Sequence, residues 1–86
     1  MTQANIRELH ENITRMFWEV TIQKAKLGIS TPAAIEIQLQ DLTVLRDQLS
    51  LVIAHYDADV DVPDNIRDTT IRAAKRSGYT LKREDF

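Results

Sequence analysis

The stretch DADVDVPDNIRD, residues 57–68, carries the most concentrated set of oxygen ligands in the chain. Asp57, Asp59 and Asp61 alternate as the first three ligands of a calcium-binding loop do, and Asn65 and Asp68 fall at its ninth and twelfth places. The rest of such a loop is missing. Val62 stands where a glycine must make the sharp turn, Pro63 follows it, and the bidentate glutamate that closes the loop is absent. The expectation is an acidic linker over residues 57–62 that leads into a helix.

Catalysis has less to work with. His10 and His55 are the only histidines; His10 has no carboxylate three or four positions on, and Asp59, four after His55, falls in the stretch expected beyond the helix, so neither is fixed as a metal-binding imidazole on a helix. Folding the chain back near residues 28–31 sets His10 opposite Leu49, a turn and more away from His55. Ser30, Ser50 and Ser77 have no neighbouring base in the sequence, cysteine is absent, and no glycine-rich phosphate loop occurs. No catalytic residue, metal, cofactor or small-molecule substrate is expected.

A third chemical possibility is basic. Arg72, Lys75, Arg76, Lys82 and Arg83 crowd the C-terminal quarter, with Tyr79 among them as a stacking candidate, and together they can be read as an anion-contacting or nucleic-acid patch. The plainer reading is a helix C-terminus decorated with the cations its dipole favours, attracted to the aspartate linker of a neighbouring subunit.

The elements that would position these groups are helices. In residues 3–27 the apolar positions Ile6, Leu9, Ile13, Met16, Val20 and Leu27 recur at steps of three and four, with Gln23 filling the polar step. The fold-back follows in KLGISTPAAIEIQLQDL. Gly28 has no Cβ and suits a left-handed closing residue, Ile29 is expected to cover the last turn, and Thr31 is expected to cap a second helix that opens at Pro32. That helix, about residues 32–56, answers the first with Ile35, Leu39, Leu42, Leu49, Ile53 and Tyr56, widened by Leu45 and Val52, with Arg46 as its polar step.

A third, shorter helix is expected over about residues 63–77, with Ile66, Ile71, Ala73 and Ala74 as its apolar face and Gly78 closing it. Beyond it Tyr79, Leu81 and Phe86 are anchors, and Thr80 with Glu84 would cap one last turn. The fold class is therefore all-α. One domain spans residues 1–86: a long antiparallel helical hairpin over 1–56, the acidic linker, and a short basic helix and tail over 63–86.

Both long helices carry apolar residues on a second side. Ile37, Val44 and Leu51, spaced by seven, lie nearly opposite the inner stripe of the second helix, and Trp18, Ile22 and Ala25 do the same on the first. A hairpin buries only the stripes that face each other, so Trp18, Ile22, Ala25, Ile37, Val44 and Leu51 are the expected interface residues. The expected partner is a second copy of the chain or a larger protein effector.

Composition bounds the rest. Eleven basic and thirteen acidic residues give a net charge of −2, so the whole molecule does not attract nucleic acid. No apolar run is long enough to cross a bilayer and the first residues do not form a signal peptide, so a soluble cytoplasmic protein is expected.

The run LGISTPAAIEIQLQDL, with a long helix before it and RDQL after it, resembles the effector-associated helical hairpins found beside NTPase, caspase-like and TIR modules in bacterial signalling and conflict proteins. The likeness covers about residues 20–56. It implies an adaptor or regulatory role through helix packing and supplies no catalytic residues. The tail IRDTTIRAAKRSGYTLKREDF is similar to the end of nitrogen-fixation-type leader peptides of natural-product precursors, which implies recognition by a modifying enzyme; with no core peptide after Phe86, that expectation ranks second.

Overall fold

Helix α1 spans Gln3–Leu27, α2 spans Ala33–Asp57 and α3 spans Asp64–Arg76, joined and followed by single 3-10 turns at Gly28–Ser30 and Arg83–Asp85. These come from a computed structural model that describes residues 3–86. Among those residues there is no strand. α1 and α2 pack antiparallel as expected, and α3 lies mainly against α2, so that the molecule is a rod of 44 × 19 × 17 Å.

The expected fold-back is present, with its parts used differently. Gly28 is left-handed at φ +58, where a Cβ would be strained. Ile29 does not cover the last turn of α1, because the 3-10 turn leaves it fully exposed. Thr31 faces backwards: its hydroxyl donates to the carbonyls of Gly28 at 2.6 Å and Lys24 at 3.4 Å, closing α1 rather than opening α2. α2 begins one residue later than the sequence suggests. Pro32 is extended, with ψ 146, and its carbonyl accepts the amides of Ile35 and Glu36. Pro63 repeats the arrangement before α3, accepting from Ile66 and Arg67.

α2 and α3 end alike. Asp59 takes a left-handed φ of 56 while its amide bonds to Tyr56 and that of Val60 to His55. Gly78 takes φ 86 while its amide bonds to Lys75 and that of Tyr79 to Ala74. Each closing turn satisfies carbonyls that a helix end leaves without partners. Asp59 thus has a backbone task within the acidic linker, and Val62 is buried in the core, so the linker is not wholly solvated.

The core is built from Ile6, Ile13 and Val20 of α1, Leu42, Leu45, Leu49 and Val52 of α2, and Ala73 and Ala74 of α3. Leu45 and Val52 are as deeply buried as the rest because α2 packs against two helices. Fully burying each such Leu or Val is worth about 1.5–3 kcal/mol. On α3 the expected apolar face shifts: Thr70 is completely buried, whereas Ile71 stays half-exposed outside the core. Thr70 can be buried because its hydroxyl donates to the Ile66 carbonyl at 2.7 Å. Thr14, Thr21, Thr43 and Thr69 bond back one turn in the same way.

The tail folds onto the core through Tyr79, Leu81 and Phe86. Its last turn is capped by Asp85, whose carboxylate accepts the Lys82 amide at 2.9 Å, and not by Thr80 with Glu84. A 3-10 turn begins too late in the chain for Thr80 to reach it.

Candidate functional site

α1 and α2 place the six expected interface residues on the outside of the hairpin. Trp18 is 55% exposed and Ile22 54%; on α2, Ile37 is 59% exposed, Val44 37% and Leu51 42%. Ala25 is exposed as well. α3 covers Leu45 and Val52 and leaves the stripe of Ile37, Val44 and Leu51 open. Trp18 is steadied from one side: its ring meets Phe17 edge-on, with centroids 5.3 Å apart. Phe17 in turn lies under the Arg46 guanidinium, 4.1 Å from the ring centroid. That contact explains why the inner stripe of α2 tolerates Arg46, since a cation over an aromatic face is favourable. Periodicity marks Arg46 only as the polar step of its stripe and does not mark Phe17, because the pairing joins two helices.

The basic candidates are scattered. Arg83 grips Asp68 with two hydrogen bonds, Nε to Oδ1 at 3.0 Å and Nη2 to Oδ2 at 2.8 Å. This pairing holds the Asp68 carboxyl below its usual range, against the opposing effect of burial and with help from the Arg83 and Arg72 charges. Arg72 also donates to the Thr69 hydroxyl at 3.4 Å. Arg76 borders a groove on α2, whereas Lys75 borders a different one with Leu81. Tyr79, the stacking candidate, is half-buried and its hydroxyl donates to the Met16 sulfur at 3.3 Å. The structure therefore does not gather these five cations around one stacking face.

The histidines stay apart, as the hairpin register requires. His10 faces Ser50, one residue from the expected Leu49, with Nε2 2.9 Å from the hydroxyl oxygen. Ser50 thus has the neighbouring base that the sequence did not reveal, because the two are forty positions apart. The pair lacks the rest of a nucleophilic centre. Both residues sit inside helices, whose amides are already used, so no pair of backbone donors faces the serine to stabilise an oxyanion. His55 donates from Nδ1 to the Leu51 carbonyl at 2.8 Å. Among the described residues no three His, Cys, Asp or Glu side chains converge as a metal ion would need. The aspartates of the linker separate in space: Asp57 pairs with Arg7 of α1 at 2.6 Å, and Asp59 closes α2.

Two depressions flank the core. At the open end of the hairpin a pocket of about 230 Å³ is bordered by Gln3, Tyr56, Asp61, Arg67 and Phe86. The Tyr56 hydroxyl and Arg67 Nε are buried beside it without protein partners, and burial raises the Tyr56 pKa against the opposing charges of Arg67 and Arg7. The space admits water, the ordinary partner of such groups. At the other end a groove of about 250 Å³ runs between α2 and the end of α3, lined by Met16, Ile37, Asp41, Leu42 and Arg76. It extends the Ile37 end of the outer stripe.

Among the described residues no helix is long and apolar enough to cross a membrane. No family model matches the chain, and no curated protein or solved structure shows significant similarity to it.

Proposed function

We propose that the chain is a small non-catalytic interaction module, an adaptor or regulatory subunit that docks helix to helix within a bacterial signalling or defence system. One observation carries this reading: Ile37, Val44 and Leu51 form a row with a strict seven-residue spacing on α2 and remain 59%, 37% and 42% exposed after both other helices have packed. Large aliphatic side chains repeated every second turn are the pattern by which one helix receives another. A nucleic-acid role draws less support, because Arg83 is already engaged by Asp68 and Tyr79 by the core. The resemblance of the hairpin to effector-associated domains agrees with docking and adds the expectation of a signalling partner.

The test is photo-crosslinking in the native cell from a photoreactive residue placed at position 44 or 51, with position 65 on the exposed side of α3 as the control. Adducts from 44 and 51 and none from 65 are expected, with the attached chain identified by mass. If 44, 51 and 18 all fail to give an adduct, the docking reading is wrong.

A further inference from the structure

We infer that the surface which covers the α2 stripe is the α1 patch of a second copy of this chain, so that copies join head to tail through two different faces. This rests on the docking reading above and names its occupant. Three observations lead to it.

The first is direction. Leu9 and Met16 of α1 pack against the core, and Tyr79 of the tail beyond α3 bonds to Met16. At about 100° per residue, Trp18 and Ile22 lie on the opposite side of α1 from that pair. α2 meets α1 through Arg46 over Phe17 and Ser50 beside His10. Ile37, Val44 and Leu51 point away from those contacts. The two patches therefore face different directions on different helices, and a two-fold contact through either one leaves the other bare. A head-to-tail contact covers both.

Charge is the second. Beside the stripe α2 carries Glu36, Asp41 and Asp47, while its cation Arg46 is drawn inward over Phe17. The ion pairs of Glu36 with Lys24 at 3.7 Å and Asp47 with Arg46 at 3.6 Å are long and exposed. The α1 patch is bordered by Arg15 and Lys26, with Glu19 between them and Glu8 and Glu11 further along the same side, and neither cation forms an ion pair among the described residues. Arg15 and Lys26 stand eleven positions apart, as do Glu36 and Asp47. Eleven residues are close to three helical turns, so each pair lies along one line of its helix at a common separation of roughly 16 Å. Two carboxylates on α2 can meet two cations of the same spacing on α1.

The third observation removes the alternative. Pairing two α2 stripes with each other brings together two surfaces whose charged border residues, Glu36, Asp41 and Asp47, are all acidic, and like charges facing one another oppose association. Trp18 supplies what the heterologous contact needs instead, a half-exposed indole as anchor, facing a stripe whose borders offer Gln40, Gln48 and Asp47 as acceptors for its N–H.

The experiment uses two half-blocked full-length chains, one with Trp18→Glu and Ile22→Glu, the other with Val44→Glu and Leu51→Glu, weighed by light scattering across concentration. Wild-type chains are expected to grow past dimers as concentration rises. Each blocked chain alone is expected to stay at 9.9 kDa with wild-type helix content, while an equal mixture forms dimers and stops. A blocked chain that dimerises alone, or a mixture that stays monomeric while wild type assembles, overturns the head-to-tail arrangement. A wild-type chain that is monomeric throughout overturns self-assembly, and the docking reading then stands or falls on its crosslinks to another protein. If a glutamate pair reduces helicity, Arg15→Glu with Lys26→Glu takes its place. Those exposed cations hold nothing in the fold, and their reversal is expected to weaken wild-type assembly at least tenfold and to be rescued by a partner chain carrying Glu36→Lys with Asp47→Lys.

Discussion

The inner and outer sides of α2 are made of the same materials. Leu42, Leu45, Leu49 and Val52 are at most 1% exposed, whereas Ile37, Val44 and Leu51, equally aliphatic and on the same helix, are 37–59% exposed. The difference lies in where α1 and α3 sit. Two helices can shield an arc of a third but not its whole circumference, and the arc they leave on α2 is as oily as the one they cover. Aliphatic residues there do nothing for the folded monomer that polar ones would not do as well.

The largest effect that can break this comparison comes from paired truncations. Leu49→Ala is expected to lower stability by about 2–5 kcal/mol, enough to unfold much of so small a domain, because it opens a cavity against both neighbouring helices. Leu51→Ala should cost no more than about 0.5–1 kcal/mol in dilute solution. Urea titrations followed by circular dichroism measure both. Equal losses would mean that the outer stripe belongs to the monomer's own core.

A smaller effect tests the end of the same helix. Asp59 holds a left-handed conformation that Gly78 holds at the end of α3. Asp59→Gly is expected to raise the unfolding free energy by about 0.5–1 kcal/mol, since the aspartate Cβ is strained there and the carboxylate has no partner that the change would remove. Assembly should be unaffected, which separates a gain in folding from a change in docking.

The smallest effect is acid release of the tail, which covers the inner side only. The folded-state pKa of Asp68 lies below the ordinary 3.8, mainly through its hydrogen bonds with Arg83. A depressed carboxylate pKa means that the pairing contributes above the ordinary value and is lost as pH falls through the folded one. The Arg83 Nε–H signal, whose acceptor is Asp68 Oδ1, should shift as pH falls through that lower value, and the step should disappear in Asp68→Asn. Crosslinking from the outer stripe should not follow that step.

The hairpin was legible because it is written in periodicity. Steps of three and four, a glycine and a proline located both arms, and the doubled stripe of α2 located its exposed row. The side-chain pairings were not legible. Arg46 over Phe17, His10 beside Ser50 and Tyr79 on Met16 join residues 29 to 63 positions apart, and no local pattern encodes such meetings. Arg83 looked like one of five equivalent cations because its partner Asp68 lies across the Gly78 turn. Thr70 looked polar because its hydroxyl finds the Ile66 carbonyl only once the helix has formed. Thr31 has the residue type of a helix opener, and only the path after the left-handed Gly28 turns its hydroxyl back toward the helix it leaves.

The 44 Å length against widths of 19 and 17 Å has a hydrodynamic consequence. A rod of this proportion drags more water than a sphere of equal mass, so a single chain migrates on a sizing column ahead of globular standards of its weight. End-over-end tumbling is also slower than spinning about the long axis, which makes amide relaxation in α1 and α2 depend on bond direction even where the backbone is rigid.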